Sequence, residues 1–133
     1  MPITKDQLEE IVEELASYKG RHTELITVYI SAGYDVNAVQ RQLEGEKSTA
    51  KNIKSTATRK NVIDALEKII RHLKTLKKTP DNGLALFAGD ISKVESQQNL
   101  QLWAIEPLQP LKIRIYRCDK EFVFHIFHIK MLY

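Results

Sequence analysis

The feature that most constrains the fold of this chain is a polar segment, residues 47–55, between two helical patterns. It reads Lys-Ser-Thr-Ala-Lys-Asn-Ile-Lys-Ser, with Ile53 as its one large apolar residue. A short polar connection of this kind typically joins two antiparallel helices. Because Lys47, Lys51 and Lys54 recur every three or four residues, the segment predicts a helical hairpin whose tip faces something negatively charged.

Charge along the chain is segregated in the same region. Residues 47–78 contain ten Lys/Arg against two Asp/Glu, whereas the rest of the chain contains ten Lys/Arg against fifteen Asp/Glu. Positive potential concentrated on one element is typical of proteins that bind nucleic acid. A long helix with a solvated basic face would have the same composition, so charge alone leaves both interpretations open.

Length and cysteine content favour a small cytoplasmic domain. The chain has 133 residues, enough for one domain, and its single Cys118 cannot form an internal disulfide. No apolar run approaches the roughly 20 residues that a membrane span needs, and the first residues lack a secretory signal. We therefore expect a cytoplasmic monomer that does not contact membranes.

Hydrophobic periodicity predicts three helices and four strands. The first helix covers about residues 5–18, the second follows a cap at Asp35, and the third opens near Ser55 or Thr58. Alternation or continuous apolar character predicts strands at residues 24–30, 84–88, 100–106 and 112–118. This order predicts an α+β domain in which helices pack on an antiparallel sheet.

The last predicted strand places chemically distinct residues on its two faces. Ile113 and Ile115 share one face. The other face carries Lys112, Arg114, Tyr116 and Cys118. Tyr116 and Cys118 should therefore project side by side, next to two cations.

No catalytic constellation emerges from the sequence. The five glycines are never adjacent or in phosphate-loop spacing, and no G-x-S-x-G element exists. Cys118 with His125 and His128 could form a thiol nucleophile or half a metal site, but packing in apolar surroundings is the better explanation. We expect no enzymatic activity, no cofactor and no metal.

Parts suited to binding single-stranded RNA are better represented. Lys51 and Lys54 can hold phosphates, Asn52 can pair with a base edge, and Tyr116 offers a ring for stacking. Thr49 and Ser55 offer hydroxyls. Each of these residues also has a purely structural alternative: Ile53 would anchor the loop, Ser55 would cap a helix, and Tyr116 would pack in the sheet. A basic hairpin that docks on RNA or on an acidic protein is the competing interpretation.

Two motifs resemble archaeal and eukaryotic class-I peptide chain release factors. Residues 49–55 resemble the T-A-S-N-I-K-S signature of that family and depart from it only at Lys51. Residues 116–122 resemble the Y-x-C-x-x-x-F motif, and the similarity covers about residues 5–122. The resemblance implies the N-terminal, stop-codon-recognising domain: a four-stranded antiparallel sheet flanked by helices, with N-I-K-S at the tip of a protruding helical hairpin.

The resemblance also implies roles for individual residues. Asn52 and Lys54 would contact the first uridine of the stop codon. Glu46 would read the purines at the second and third positions. Tyr116 and Cys118 would line the codon pocket.

Further residues join the predicted site with less direct roles. Phe122 would brace the pocket wall. Residues 22–24 stand where the family has G-T-S, so only Thr23 carries over. The rest of the predicted site consists of the motif residues Thr49, Ile53 and Ser55 and the basic neighbours Lys51 and Arg59.

Partners and domain boundaries follow from the same resemblance. The implied partners are the mRNA stop codon and small-subunit rRNA in the ribosomal A site, and a translational GTPase through the family's C-terminal domain. The family's middle domain bears Gly-Gly-Gln for peptidyl-tRNA hydrolysis, and this sequence has no Gly-Gly. We expect a decoding domain at residues 1–122 that releases no peptide alone, followed by an apolar, strand-like and non-native tail at 123–133.

Overall fold

The computed structural model describes residues 3–94 and 96–123. Within them it contains three helices and four strands. In chain order these are α1 (Lys5–Ala16), β1 (Leu25–Ile30), α2 (Val36–Ala50), α3 (Thr56–Lys74), β2 (Leu84–Asp90), β3 (Leu100–Ile105) and β4 (Ile115–Asp119). The predicted α+β class and order of elements are confirmed. The strand predicted for the tail at 123–133 lies outside the described residues, apart from Val123.

The four strands form one antiparallel sheet in the order β3-β2-β1-β4. β1 is central and pairs with both neighbours, so that Ile26 stands opposite Ala88 on β2 and Cys118 on β4. The last described strand therefore lies beside the first. This pairing brings the segment before β1 next to the end of β4.

Helices cover both faces of the sheet. The α2–α3 hairpin packs on the face formed by Ile26, Val28 and Ile30, and α1 packs on the face formed by Leu25 and Tyr29. All six residues of β1 are buried as a result. The fold thus has three layers, which are α1, the sheet and the α2–α3 hairpin.

Side-chain caps begin each helix where the sequence predicts. Thr4 and Gln7 form a capping box on α1, and Asp35 accepts a hydrogen bond from the Asn37 amide at the start of α2. Ser55 caps α3 in the same way. α1 ends at Ala16, two residues earlier than predicted, where the Ser17 hydroxyl donates to the Glu14 carbonyl at 2.6 Å.

β4 begins at Ile115 rather than at residue 112 as predicted. The backbone of Leu111 is held elsewhere: its amide donates to the Asn82 carbonyl at 3.0 Å, and its carbonyl accepts from the Ala32 amide at 2.8 Å. These bonds tie the segment before β4 to two turns. Pairing with β1 therefore starts only where Ile115 meets Tyr29.

Candidate nucleic-acid interface

The hairpin tip is a tight turn of three residues. Lys51 is the C-cap of α2 and Ser55 is the N-cap of α3, so only Asn52, Ile53 and Lys54 connect the two helices. The side chains of Asn52 and Lys54 are exposed, as is Lys51. The tip therefore offers two cations and one amide to a ligand.

Ile53 fixes this turn to the body of the protein. Its side chain is partly buried against the core on the hairpin side, and its carbonyl accepts a hydrogen bond from Arg59 Nη1 at 3.0 Å. Ser55 Oγ accepts from the Thr58 amide at 3.3 Å. Ile53 and Ser55 thus have the structural roles of anchor and cap, and Arg59 braces the turn. Because the turn is held in this way, Asn52 and Lys54 have defined positions.

The first part of the predicted basic segment, residues 47–50, lies in α2 rather than at the tip. Lys47 Nζ lies 3.2 Å from a Glu44 carboxylate oxygen and 3.8 Å from one of Glu67. The prediction that Lys47 belongs to the exposed tip is therefore wrong, since its charge is balanced between the helices. Thr49 donates its hydroxyl hydrogen to the Gly45 carbonyl at 3.2 Å.

A second cluster forms where β4 passes beside the segment before β1. Cys118 Sγ donates to the Thr23 carbonyl with an Sγ–O distance of 2.8 Å. Tyr116 and Cys118 are both half-buried on the hairpin side of the sheet, and Glu46 of α2 is close enough to raise the pKa of each. The structure thus brings together Thr23, Glu46, Tyr116 and Cys118 from three separate parts of the chain.

Electrostatics keep the Cys118 thiol neutral. Burial raises its pKa to about 11, and the carboxylates of Asp119, Glu24 and Glu46 add to the shift. Burial likewise raises the pKa of Tyr116, with further contributions from Cys118 and Glu46. A thiol that is un-ionised at neutral pH is a poor nucleophile. The cluster is therefore suited to contact and hydrogen bonding rather than to covalent chemistry.

Tip and cluster differ in the groups that they offer to RNA. The tip presents lysines, which attract phosphates. The cluster presents the Glu46 carboxylate, which repels phosphates but accepts hydrogen bonds from the amino groups of bases. Tyr116 adds an aromatic ring beside this carboxylate. An RNA strand would thus meet cations at the tip and, where α2 faces β4, a carboxylate and an aromatic ring.

Phe122, predicted to brace the pocket wall, does not lie in this cluster. It is 3% exposed and belongs to the core on the α1 side of the sheet. Its ring makes edge-to-face contacts with Phe87 and Trp103, with ring centroids 5.7 and 5.9 Å apart. β4 ends at Asp119, so the strand's alternation no longer decides which side Phe122 faces.

A buried polar network behind Thr23 was missed from the sequence. Glu24 is 1% exposed and accepts a hydrogen bond from Asn61 Nδ2 at 3.0 Å. Gln98 Nε2 in turn donates to Asn61 Oδ1 at 2.9 Å and to Asp64 Oδ2 at 3.1 Å. The network ties α3 to the segment that carries Thr23. An acidic residue directly before an apolar strand was the one available signal.

The described residues contain no group of three or more His, Cys, Asp or Glu side chains arranged to hold a metal ion. His125 and His128, considered with Cys118 as part of such a site, lie outside the described ranges. No helix in the described part of the chain is long and apolar enough to span a bilayer.

The family model for eRF1 domain 1 matches residues 3–132. The chain belongs to this family. The match includes residues 123–132, which the motif comparison had set outside the domain. The resemblance inferred from residues 49–55 and 116–122 is confirmed.

Curated relatives of this eRF1 domain 1 chain are named as peptide chain release factors. Peptide chain release factor subunit 1 of Thermococcus onnurineus (strain NA1) is 57% identical over 117 residues, covering 88% of this chain and 28% of the relative. The protein of the same name from Thermoplasma acidophilum is 39% identical over 130 residues, covering 98% and 30%. The chain thus spans just over a quarter of the length of these relatives.

Solved structures share the eRF1 domain 1 fold of this chain. A structure described as an archaeal protein has a TM-score of 0.90 at 32% identity and covers 99% of this chain and 36% of that one. The crystal structure of an archaeal translation termination factor, aRF1, has a TM-score of 0.85 at 31% identity, with coverage of 94% and 34%. The predicted four-stranded antiparallel sheet with flanking helices is confirmed.

Proposed function

We propose that this chain is the stop-codon-recognising domain of a class-I release factor, active in translation termination. The observation that carries the proposal is the pairing of two unlike surfaces on one side of the molecule. A basic tip with exposed Asn52 and Lys54 lies on the same hairpin as Glu46, which adjoins Tyr116 and Cys118. Membership of the eRF1 domain 1 family supports the same function.

In this proposal each part of the site contributes a different interaction. Lys54 holds the RNA backbone by charge, while the Asn52 amide donates to and accepts from the edge of the first uridine. The Glu46 carboxylate accepts from the amino groups of the following purines. Tyr116 supplies an aromatic surface, and Cys118 holds the Thr23 backbone in place through its hydrogen bond.

The wider assignment rests on the relatives and extends beyond this domain. The partners proposed are the mRNA stop codon and small-subunit rRNA in the ribosomal A site, in the cytoplasm. Peptidyl-tRNA hydrolysis and binding of a translational GTPase are assigned to other domains of a full-length factor. The domain itself would act as a monomer and would not catalyse a reaction.

A basic module that docks on an acidic protein is the competing function. The Glu46 carboxylate argues against it, because it is only partly buried, lies on the same hairpin as the tip and would repel an acidic surface. RNA has both phosphates and hydrogen-bond-donating base edges, so it complements both signs of charge.

Crosslinking on ribosomes tests the proposal. Ribosomes are programmed with a message whose stop codon carries a photoreactive first uridine, and the chain is added. Replacing Lys54 by Ala should reduce the crosslink roughly tenfold, since one charge-assisted hydrogen bond is lost. Lys5→Ala, an exposed lysine on the α1 side, is the matched control and should have no effect. Equal crosslinks from both variants, or equal crosslinks to a sense codon, would overturn the proposal.

A further inference from the structure

A groove between α2 and β4 extends the candidate site away from the hairpin tip. It has a volume of about 250 Å³, and its lining includes Tyr34, Gln42, Arg114 and Tyr116. Tyr116 belongs both to this groove and to the cluster with Glu46. The groove is therefore continuous with the proposed codon site, and it points toward the start of α2.

The far end of the groove is built from a cation stacked on an aromatic ring. The guanidinium carbon of Arg114 lies 4.1 Å from the centroid of the Tyr34 ring. Tyr34 is fixed from behind, because its side chain packs against the core and its carbonyl accepts a hydrogen bond from the Thr79 hydroxyl. Arg114 remains exposed. One side of its guanidinium thus covers Tyr34, and the other is open to a ligand.

The charge of this region suits a nucleotide. Arg114 forms no ion pair within residues 3–94 and 96–123. The nearest acidic residue in sequence to Tyr34 is Asp35, whose carboxylate is used as the cap of α2. Bases stack readily on arginine guanidinium planes. The volume lies just below the range of about 300–1,000 Å³ that drug-sized ligands occupy, which fits one base.

We propose that this groove binds one additional nucleotide of the same single-stranded RNA, adjoining those at Tyr116 and Glu46. Its base stacks on the open side of Arg114, and its edge meets the Gln42 amide. The inference rests on the proposed function and deepens it. The site would then read or hold one position next to the three of the codon.

NMR titration of the labelled chain with short RNAs tests this subsite. The ligands are the trinucleotide UAA and tetranucleotides that extend it by one residue at the 5′ or the 3′ end. UAA should shift the backbone amides of Asn52 and Lys54. One of the two tetranucleotides should also shift the Gln42 side-chain amide and the Arg114 Nε–H, and should bind at least about fivefold more tightly, since one stacked base is added.

Variants separate stacking from charge. Arg114→Ala and Tyr34→Leu should remove the gain from the fourth nucleotide and leave UAA binding unchanged, while Arg114→Lys should restore only part of it. The matched control is Arg117→Ala: Arg117 is exposed on β4, but its position in the strand alternation faces the other side of the sheet. Amide spectra of every variant establish that it is folded.

Several outcomes would overturn the subsite. If UAA shifts the tip while neither tetranucleotide gains affinity at millimolar concentration, the groove is not a nucleotide site, although the proposed function stands. If polyglutamate shifts Arg114 and RNA does not, the occupant is an acidic protein. If no RNA shifts tip or groove, the subsite fails on this chain, and codon recognition is judged separately by the ribosome crosslink.

Discussion

The two faces of the sheet differ in the kinds of side chain that pack on them. On the α1 side, the rings of Tyr29, Phe87, Phe122 and Trp103 follow one another in a series of edge-to-face contacts. On the hairpin side the core is mainly aliphatic, and polar groups collect along its margin at Glu46, Tyr116 and Cys118. Both faces therefore carry a buried core, and only the hairpin side carries the groups that the proposed function assigns to RNA.

The largest expected effect is on the α1 side. Phe122→Ala removes a ring that contacts both Phe87 and Trp103, and it should lower the free energy of unfolding by about 3–5 kcal/mol. Urea denaturation followed by Trp103 fluorescence measures this loss. Phe122→Leu, which keeps most of the volume, should cost far less. A variant that retained full stability but lost the ribosome crosslink would place Phe122 at the RNA after all.

A smaller effect is expected from the buried network on the hairpin side. Glu24→Ala leaves the Asn61 amide without its acceptor and should cost about 2 kcal/mol of stability. Glu24→Gln keeps an acceptor oxygen and should retain most of it. Denaturation of both variants provides the measurement. Equal losses would show that the negative charge, rather than the hydrogen bond, holds α3 to the sheet.

The smallest effect concerns the Cys118 thiol. Its pKa of about 11 lies above the ordinary 9.0, so the folded protein holds the thiol proton more tightly than the unfolded chain. The associated stability is complete below about pH 9 and is lost as the pH rises through 11. Since the group is partly exposed, we expect about 1 kcal/mol after screening.

Alkylation provides a direct measurement of this thiol. The rate of reaction of folded Cys118 with iodoacetamide should rise with a midpoint near pH 11, because the thiolate is the reactive form. Denaturation of Cys118→Ala should lack the corresponding alkaline loss of stability. A midpoint near the ordinary value of 9.0 would mean that Cys118 is less buried than the structure indicates and that the nearby carboxylates do not act on it.

Local features of the site were predictable from the sequence. The helix caps at Asp35 and Ser55 depend on residues two or three positions away, and the hairpin tip follows from them. The alternation of 112–118 correctly put Tyr116 and Cys118 on one face, although β4 starts later than predicted. Helix caps and strand alternation depend only on residues close together in the sequence, so a contiguous segment is enough to predict them.

Tertiary structure decided which of these segments meet. The pairing of β4 with β1 puts Cys118 against Thr23, 95 positions away, and the packing of α3 puts Asn61 against Glu24. The same packing pairs the Lys47 ammonium with the carboxylates of Glu44 and Glu67. After β4 the chain turns, so that Phe122 lies on the opposite face of the sheet. Periodicity and capping fix the local conformation of the chain, whereas sheet order and packing fix contacts between distant residues. The turn at residues 52–54 was therefore predictable from the sequence alone, and the cluster of Thr23, Glu46, Tyr116 and Cys118 beside it was decided only by the fold.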